Sequence, residues 1–115
     1  MIVDDNPRFL RAAQRLLEGD GITVVGVASN SAEALQLAEE LEPDVTLVDI
    51  NLGDESGFEL ASRLRQVGPR RSHVILISIR SREDFGDLIT ASRTQFLSKI
   101  DLSASAIQQL LADAG

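Results

Sequence analysis

Short apolar runs alternate along the chain with stretches whose apolar residues recur at helical spacing, the pattern of repeated strand–helix units. Met1–Val3 is the first run. Asn6-Pro7 then reads as a helix cap followed by proline in the first turn. Phe9, Leu10, Ala13, Leu16 and Leu17 follow at helical spacing, and Gly19 to Gly21 ends that helix. The second run is Ile22–Ala28. Asn30, with Glu33 three residues on, opens a second helix as a variant capping box. Ala34, Leu35, Ala38 and Leu41 face inward, and Pro43 stops it. Val45–Val48 is the third run, and a polar, glycine-containing loop from Asn51 to Gly57 follows. A third helix is expected over Phe58–Val67, with Leu60, Ala61 and Leu64 inward and Gly68-Pro69 closing it. His73–Ser78 is the fourth strand. Glu83–Ala91 reads as a short fourth helix interrupted by Gly86, Gln95–Ser98 as a fifth strand, and Ser103 caps a last helix with Ile107, Leu110 and Leu111 inward.

Five strand–helix units imply an α/β fold with one doubly wound, five-stranded parallel sheet and helices on both faces. The 115 residues fit one domain spanning 1–115. In such open sheets ligands bind outside the carboxyl ends of the strands, at the point where strand order reverses. Five polar residues fall at those ends. Asp4 and Asp5 close the first run, Asp49 closes the third, Ser78 closes the fourth, and Lys99 follows the fifth. If the first and third strands end side by side, three carboxylates converge and repel one another unless a cation sits between them.

Composition narrows the chemistry. The chain is 43% hydrophobic with no cysteine, which excludes a disulfide framework and a thiolate metal site. Its net charge of −7 disfavours direct binding to a nucleic-acid backbone and suits cations or basic protein surfaces. No apolar stretch approaches the roughly 20 residues that cross a bilayer, and no basic segment precedes the first run. A cytoplasmic protein is expected.

Five segments together resemble the receiver domain of bacterial two-component response regulators: Ile2-Val3-Asp4-Asp5, Leu47-Val48-Asp49-Ile50-Asn51, Gly57, Ile77-Ser78 and Phe96-Leu97-Ser98-Lys99. Their order and spacing agree with that family along essentially the whole chain. The resemblance implies the flavodoxin-like strand order 2-1-3-4-5. It implies a signalling domain and not an enzyme in the usual sense, although one that assists its own phosphorylation and dephosphorylation. Asp49 would be the phosphoacceptor, taking its phosphoryl group from a histidine kinase or phosphotransfer protein. Mg²⁺ would be held by Asp5 and Asp49, by the carbonyl of Asn51, and by Asp4 through water. Lys99 would pair with a phosphoryl oxygen and Ser78 would donate its hydroxyl to another. Ser78 and Phe96 would form the switch that alters the surface of the fourth helix, fifth strand and fifth helix for a downstream effector domain or target protein. Kinase specificity would lie near Arg8, Arg11 and Ala12. Neither direct nucleic-acid binding nor a membrane is implied, and the oligomeric state, homodimer included, stays open.

Taken singly, each residue has a plainer reading. Asp4 and Asp5 suit a turn before a helix, Asp49 a loop entry, Lys99 a solvated surface, Ser78 a cap and Phe96 a core. The lone His73 has no companion ligand. Gly21 to Gly26 precede or enter a strand and do not make a dinucleotide fingerprint. Joint occurrence at one sheet edge separates the functional reading from these. The alternative is a pseudo-receiver, the same fold used as an interaction module without phosphorylation; such modules lose the acidic pair, the acceptor or the lysine, all present here. A flavin-binding module is weaker still, because no Ser/Thr/Gly-rich loop follows the first or third strand and no Trp or Tyr is available to stack. Four departures from the family stand out. The first strand is short, Ile79 follows Ser78 where a small residue is usual, Gly53 stands where proline is frequent, and Ile100 replaces the proline after Lys99, which makes a cis bond there unfavourable. Ile79 is expected to narrow access to the phosphoryl pocket.

Overall fold

The computed structural model describes residues 1–67 and 72–114. Its main sheet contains β1 (Ile2–Val3), β2 (Val27–Ala28), β3 (Val45–Asp49), β6 (His73–Ser78) and β7 (Gln95–Ser98), all parallel, in the order β2-β1-β3-β6-β7. That is the expected 2-1-3-4-5 order. The intervening β4 (Asn51–Leu52) and β5 (Glu55–Ser56) pair with each other in a small antiparallel hairpin inside the segment expected to be a plain loop. Gly53 turns the hairpin with a φ of 63°, a conformation glycine adopts without strain.

Side chains of the central strands alternate between two apolar layers, as parallel strands covered on both faces must. Ile2, Leu47, Ile75 and Ile77 pack under α1 (Pro7–Gly19) and α5 (Ala104–Ala114) with Leu10, Ala13, Leu17 and Ile107. Val3, Val48, Val74 and Leu76 pack under α2 (Ser31–Leu41), α3 (Gly57–Leu64) and α4 (Leu88–Ser92) with Ala34, Ala38, Leu60, Leu64 and Ile89. Although β1 has only two residues, both are buried and it pairs with β2 on one side and β3 on the other.

Helix caps follow the sequence closely. Asn6 Oδ1 accepts from the backbone N–H groups of Arg8 and Phe9, Asn30 Oδ1 from that of Glu33, and Ser103 Oγ from that of Ala106. The Glu33 carboxylate reaches back to the N–H and hydroxyl of Ser29, one residue before the cap. Several expectations need correction. Leu16, at helical spacing with its neighbours, and Leu41, placed on the apolar face of the second helix, are 44% and 40% exposed. Leu41 nonetheless touches the edge segment of the sheet, its Cδ1 lying 2.9 Å from where a Cβ on Gly26 would stand. The run Ile22–Ala28 yields only two residues of regular strand, because it lies at the sheet's edge and alternates half-buried with exposed positions. Helix α3 begins at Gly57 and ends at Leu64; its expected Gly68-Pro69 stop lies outside the described residues. The expected fourth helix is a 3₁₀ turn, Arg82–Phe85, and the five-residue α4, separated by Gly86 at a φ of 55°.

Candidate functional site

The parallel register pairs Ile2 with Leu47 and Val3 with Val48, so the residues that end these strands, Asp4 and Asp49, emerge side by side. They lie where the order of the sheet reverses, with β2 on one side of β1 and β3, β6 and β7 on the other. Carboxylate oxygens of Asp4, Asp5 and Asp49 come within 4.8 Å of one another. Their surroundings differ. Asp4 is fully buried, Asp49 nearly so, and Asp5 is exposed. Asp4 Oδ1 accepts from the Asn6 N–H at 2.8 Å, and Asp49 Oδ1 accepts from the Asn51 N–H at 3.1 Å. The remaining oxygens of both face one cation: Lys99 Nζ stands 2.5 Å from Asp4 Oδ2 and 3.2 Å from Asp49 Oδ2. The contact with Asp4 is a charge contact without hydrogen-bond alignment, whereas Lys99 donates a hydrogen bond to Asp49. Asp5 has no ion pair among the described residues.

Backbone approach on the other side of Asp49 is unusually close. Gly57 opens α3 and donates its N–H to the Ile50 carbonyl at 2.8 Å. A Cβ on Gly57 would collide with the Asp49 carbonyl oxygen and lie 2.7 Å from Ile50 Cα. Only glycine lets the helix start this close to the strand that ends in Asp49.

The family model described as the response regulator receiver domain matches residues 1–112. The chain belongs to that family. The nitrate/nitrite response regulator protein NarP of Escherichia coli is 38% identical over 100 residues, which cover 86% of this chain and 46% of the relative. NarL of the same organism is 33% identical over 92 residues, covering 79% and 41%. A solved two-component response regulator of the LuxR family, from Aurantimonas sp., superposes with a TM-score of 0.83 at 25% identity, over 98% of this chain and 84% of that one. The chain spans about half the length of the curated relatives it matches.

Within this receiver domain, Asp4, Asp49 and Lys99 are joined directly, Asp5 stands beside them, and Asn51 is tied to Asp49 through its backbone. Ser78 is buried at the end of β6 and accepts a hydrogen bond from the Arg80 N–H at 3.0 Å, with no bond to Asp49. Phe96 lies in the opposite apolar layer, its ring 6.1 Å from that of Phe85, which in turn meets Phe58 edge-on at 6.2 Å. Ile79 and Ile100 are 77% and 86% exposed. The Ile79 side chain thus stands largely in solvent instead of packing into the site. The peptide bond between Lys99 and Ile100 is trans.

Two contacts escaped the sequence reading. Phe9 carries the spacing of a core residue, yet Lys99 Nζ lies 4.1 Å from its ring centroid. Glu55 reads as a loop acid, yet its Oε1 accepts from the Ser31 N–H at 2.9 Å and ties the β4–β5 hairpin to the start of α2. Both pairs are distant in sequence, and neither has a local signature.

Burial raises the Asp49 pKa above its ordinary 3.8; the Asn51 N–H and the Lys99 ammonium oppose this, and the Asp4 charge adds to it. Folding therefore favours the protonated acid. The associated stability is fully present below the unfolded-state pKa and is lost as pH rises through the folded one. Asp49→Asn, which keeps the shape without the charge, is expected to melt higher than the wild type at pH 7 in chelator, with the difference shrinking as pH falls through the carboxylate range. Thermal scans between pH 3 and pH 7 check this; a lower melting temperature for the variant at pH 7 would contradict it.

Proposed function

We propose that this receiver domain is phospho-accepting and that Asp49 is its acceptor. The observation that carries the reading is the seating of Asp49: one oxygen is fixed by the Asn51 N–H and the other meets the Lys99 ammonium, beside two further carboxylates. A carboxylate oxygen of Asp49 attacks the phosphorus of a phosphohistidine on a histidine kinase or phosphotransfer protein. An O–P bond forms, the P–N bond breaks, and the imidazole nitrogen leaves with the electron pair. The product is an acyl phosphate. The difficulty is electrostatic, an anion approaching an anion, so positioning and charge compensation do the catalysis.

The residues fit Mg²⁺. Three carboxylates cluster together, the Lys99 ammonium meets only Asp4 and Asp49, Asp5 has no cation partner among the described residues, and every donor is a hard oxygen. Asp5 and Asp49 would hold the ion directly, with the Asn51 carbonyl, and Asp4 through water. Bound there, Mg²⁺ supplies charge neutralisation between carboxylate and phosphoryl oxygens. Lys99 pairs with one phosphoryl oxygen as a point charge. Ser78 already accepts from Arg80, so its own O–H is left for a second phosphoryl oxygen. Ser78 and Phe96 then couple the modified site to the surface of α4, β7 and α5, which an effector domain or target protein reads.

We read residues 1–115 as one receiver unit acting in the cytoplasm, without direct nucleic-acid contact; no helix among the described residues is long and apolar enough to cross a membrane. Acetyl phosphate with Mg²⁺, followed by intact mass measurement, tests the reading. One phosphate adduct is expected, absent in chelator and absent in Asp49→Asn. An adduct that persists in the variant, or none in the wild type with acetyl phosphate and a panel of kinases, would overturn it.

A further inference from the structure

Lys99 follows the last residue of β7 and carries its ammonium on a flexible four-carbon stem with three N–H donors. Two carboxylates hold that ammonium, Asp4 at 2.5 Å and Asp49 at 3.2 Å. Both are groups whose partners must change when a phosphoryl group joins Asp49. The third contact is of another kind. The ring of Phe9, in the first turn of α1, presents its face to the ammonium with 4.1 Å between nitrogen and centroid. The chain has four phenylalanines and no tyrosine or tryptophan. Phe58, Phe85 and Phe96 pack with one another on the α2–α4 side of the sheet, whereas Phe9 stands apart from them on the α1–α5 side. Its placement beside Lys99 is therefore not part of the aromatic core.

We infer that Phe9 is a positioning residue for Lys99, its ring face seating the ammonium beside Asp49 both before and after phosphorylation. A cation is drawn to the face of a ring without a directed bond. Lys99 can therefore exchange Asp4 for a phosphoryl oxygen while remaining over the ring. Held by carboxylates alone, the ammonium would have no constant partner during that exchange, and the stem would regain its rotamer freedom. The inference rests on the reading of Asp49 as acceptor and Lys99 as its cationic partner.

The test is a double-mutant cycle on the initial rate of labelling by acetyl phosphate at saturating Mg²⁺, pairing Phe9→Leu with Lys99→Met. Leucine keeps most of the apolar volume and removes the ring. Phe9→Leu is expected to slow labelling about five-fold when Lys99 is present, and by less than about two-fold in the Lys99→Met background. Phe9→Tyr, which restores a ring, is expected to recover the wild-type rate. A second readout needs no phosphate. In metal-free protein the ε-methylene protons of Lys99 are shifted upfield by the ring in the wild type and in Phe9→Tyr, and return to ordinary lysine positions in Phe9→Leu. Equal slowing in both backgrounds, or ε-methylene positions indifferent to the ring, would overturn the inference while leaving the acceptor reading intact. A wild type that takes no phosphate at all would instead remove the acceptor reading, and this inference with it.

Discussion

Lys99→Met is expected to lower the stability of the metal-free receiver domain by about 3 kcal/mol, and magnesium is expected to restore most of the loss. The size follows from burial. Asp4 is wholly inaccessible, and the Lys99 and Asp49 side chains are each only 10% exposed. Removing the ammonium strands two adjacent buried carboxylates with Asp5 close by. Their hydrogen bonds from Asn6 and Asn51 remain, but these do not cancel the mutual repulsion. A divalent cation in the same acidic cluster replaces the missing charge, so it stabilises the variant more than the wild type. Urea unfolding in chelator and in Mg²⁺ reads both quantities. A loss below about 1 kcal/mol, or one that Mg²⁺ leaves unchanged, would show that the three carboxylates do not act as one charged cluster.

Gly57→Ala is expected to cost more than about 3 kcal/mol or to prevent folding. The added Cβ meets the Asp49 carbonyl oxygen, Ile50 Cα and the Asp49 carbonyl carbon. All three are backbone atoms, and no rotamer change relieves the clash. The strain also falls on Asp49, the proposed acceptor, so on that reading any folded fraction should take phosphate poorly. Gly19→Ala is the control, because at the end of α1 its Cβ would have nothing within 4 Å. Its melting temperature should stay near that of the wild type or rise. A melting temperature for Gly57→Ala close to the wild type would refute the close-approach argument.

Much of the fold was legible because its signals are local. Apolar runs marked the buried strands, and Asn6, Asn30 and Ser103 marked helix starts by their own hydrogen bonds. The placing of Asp4, Asp49, Ser78 and Lys99 at strand ends was equally legible, since parallel strands expose their carboxyl ends on one edge. What was not legible depends on neighbours in space. Leu16 and Leu41 have the right helical phase, but how far neighbouring segments cover a helix is not written in the helix. The run Ile22–Ala28 has the composition of a strand, yet at the sheet's edge only Val27 and Ala28 keep regular pairing. The β4–β5 hairpin forms around Gly53, in a stretch whose polarity reads as loop. The Lys99–Phe9 and Glu55–Ser31 contacts join residues far apart in sequence, so only the assembled structure shows them.

The central claim is that Asp49 itself carries the phosphoryl group. Borohydride reduction tests it most directly, because an acyl phosphate on aspartate is reduced to homoserine while free carboxylates are untouched. After acetyl phosphate, Mg²⁺ and borohydride, peptide mass mapping should find homoserine at position 49 and unaltered aspartate at positions 4 and 5. Homoserine at position 4 or 5, or a phosphate adduct with no reducible aspartate, would contradict the account.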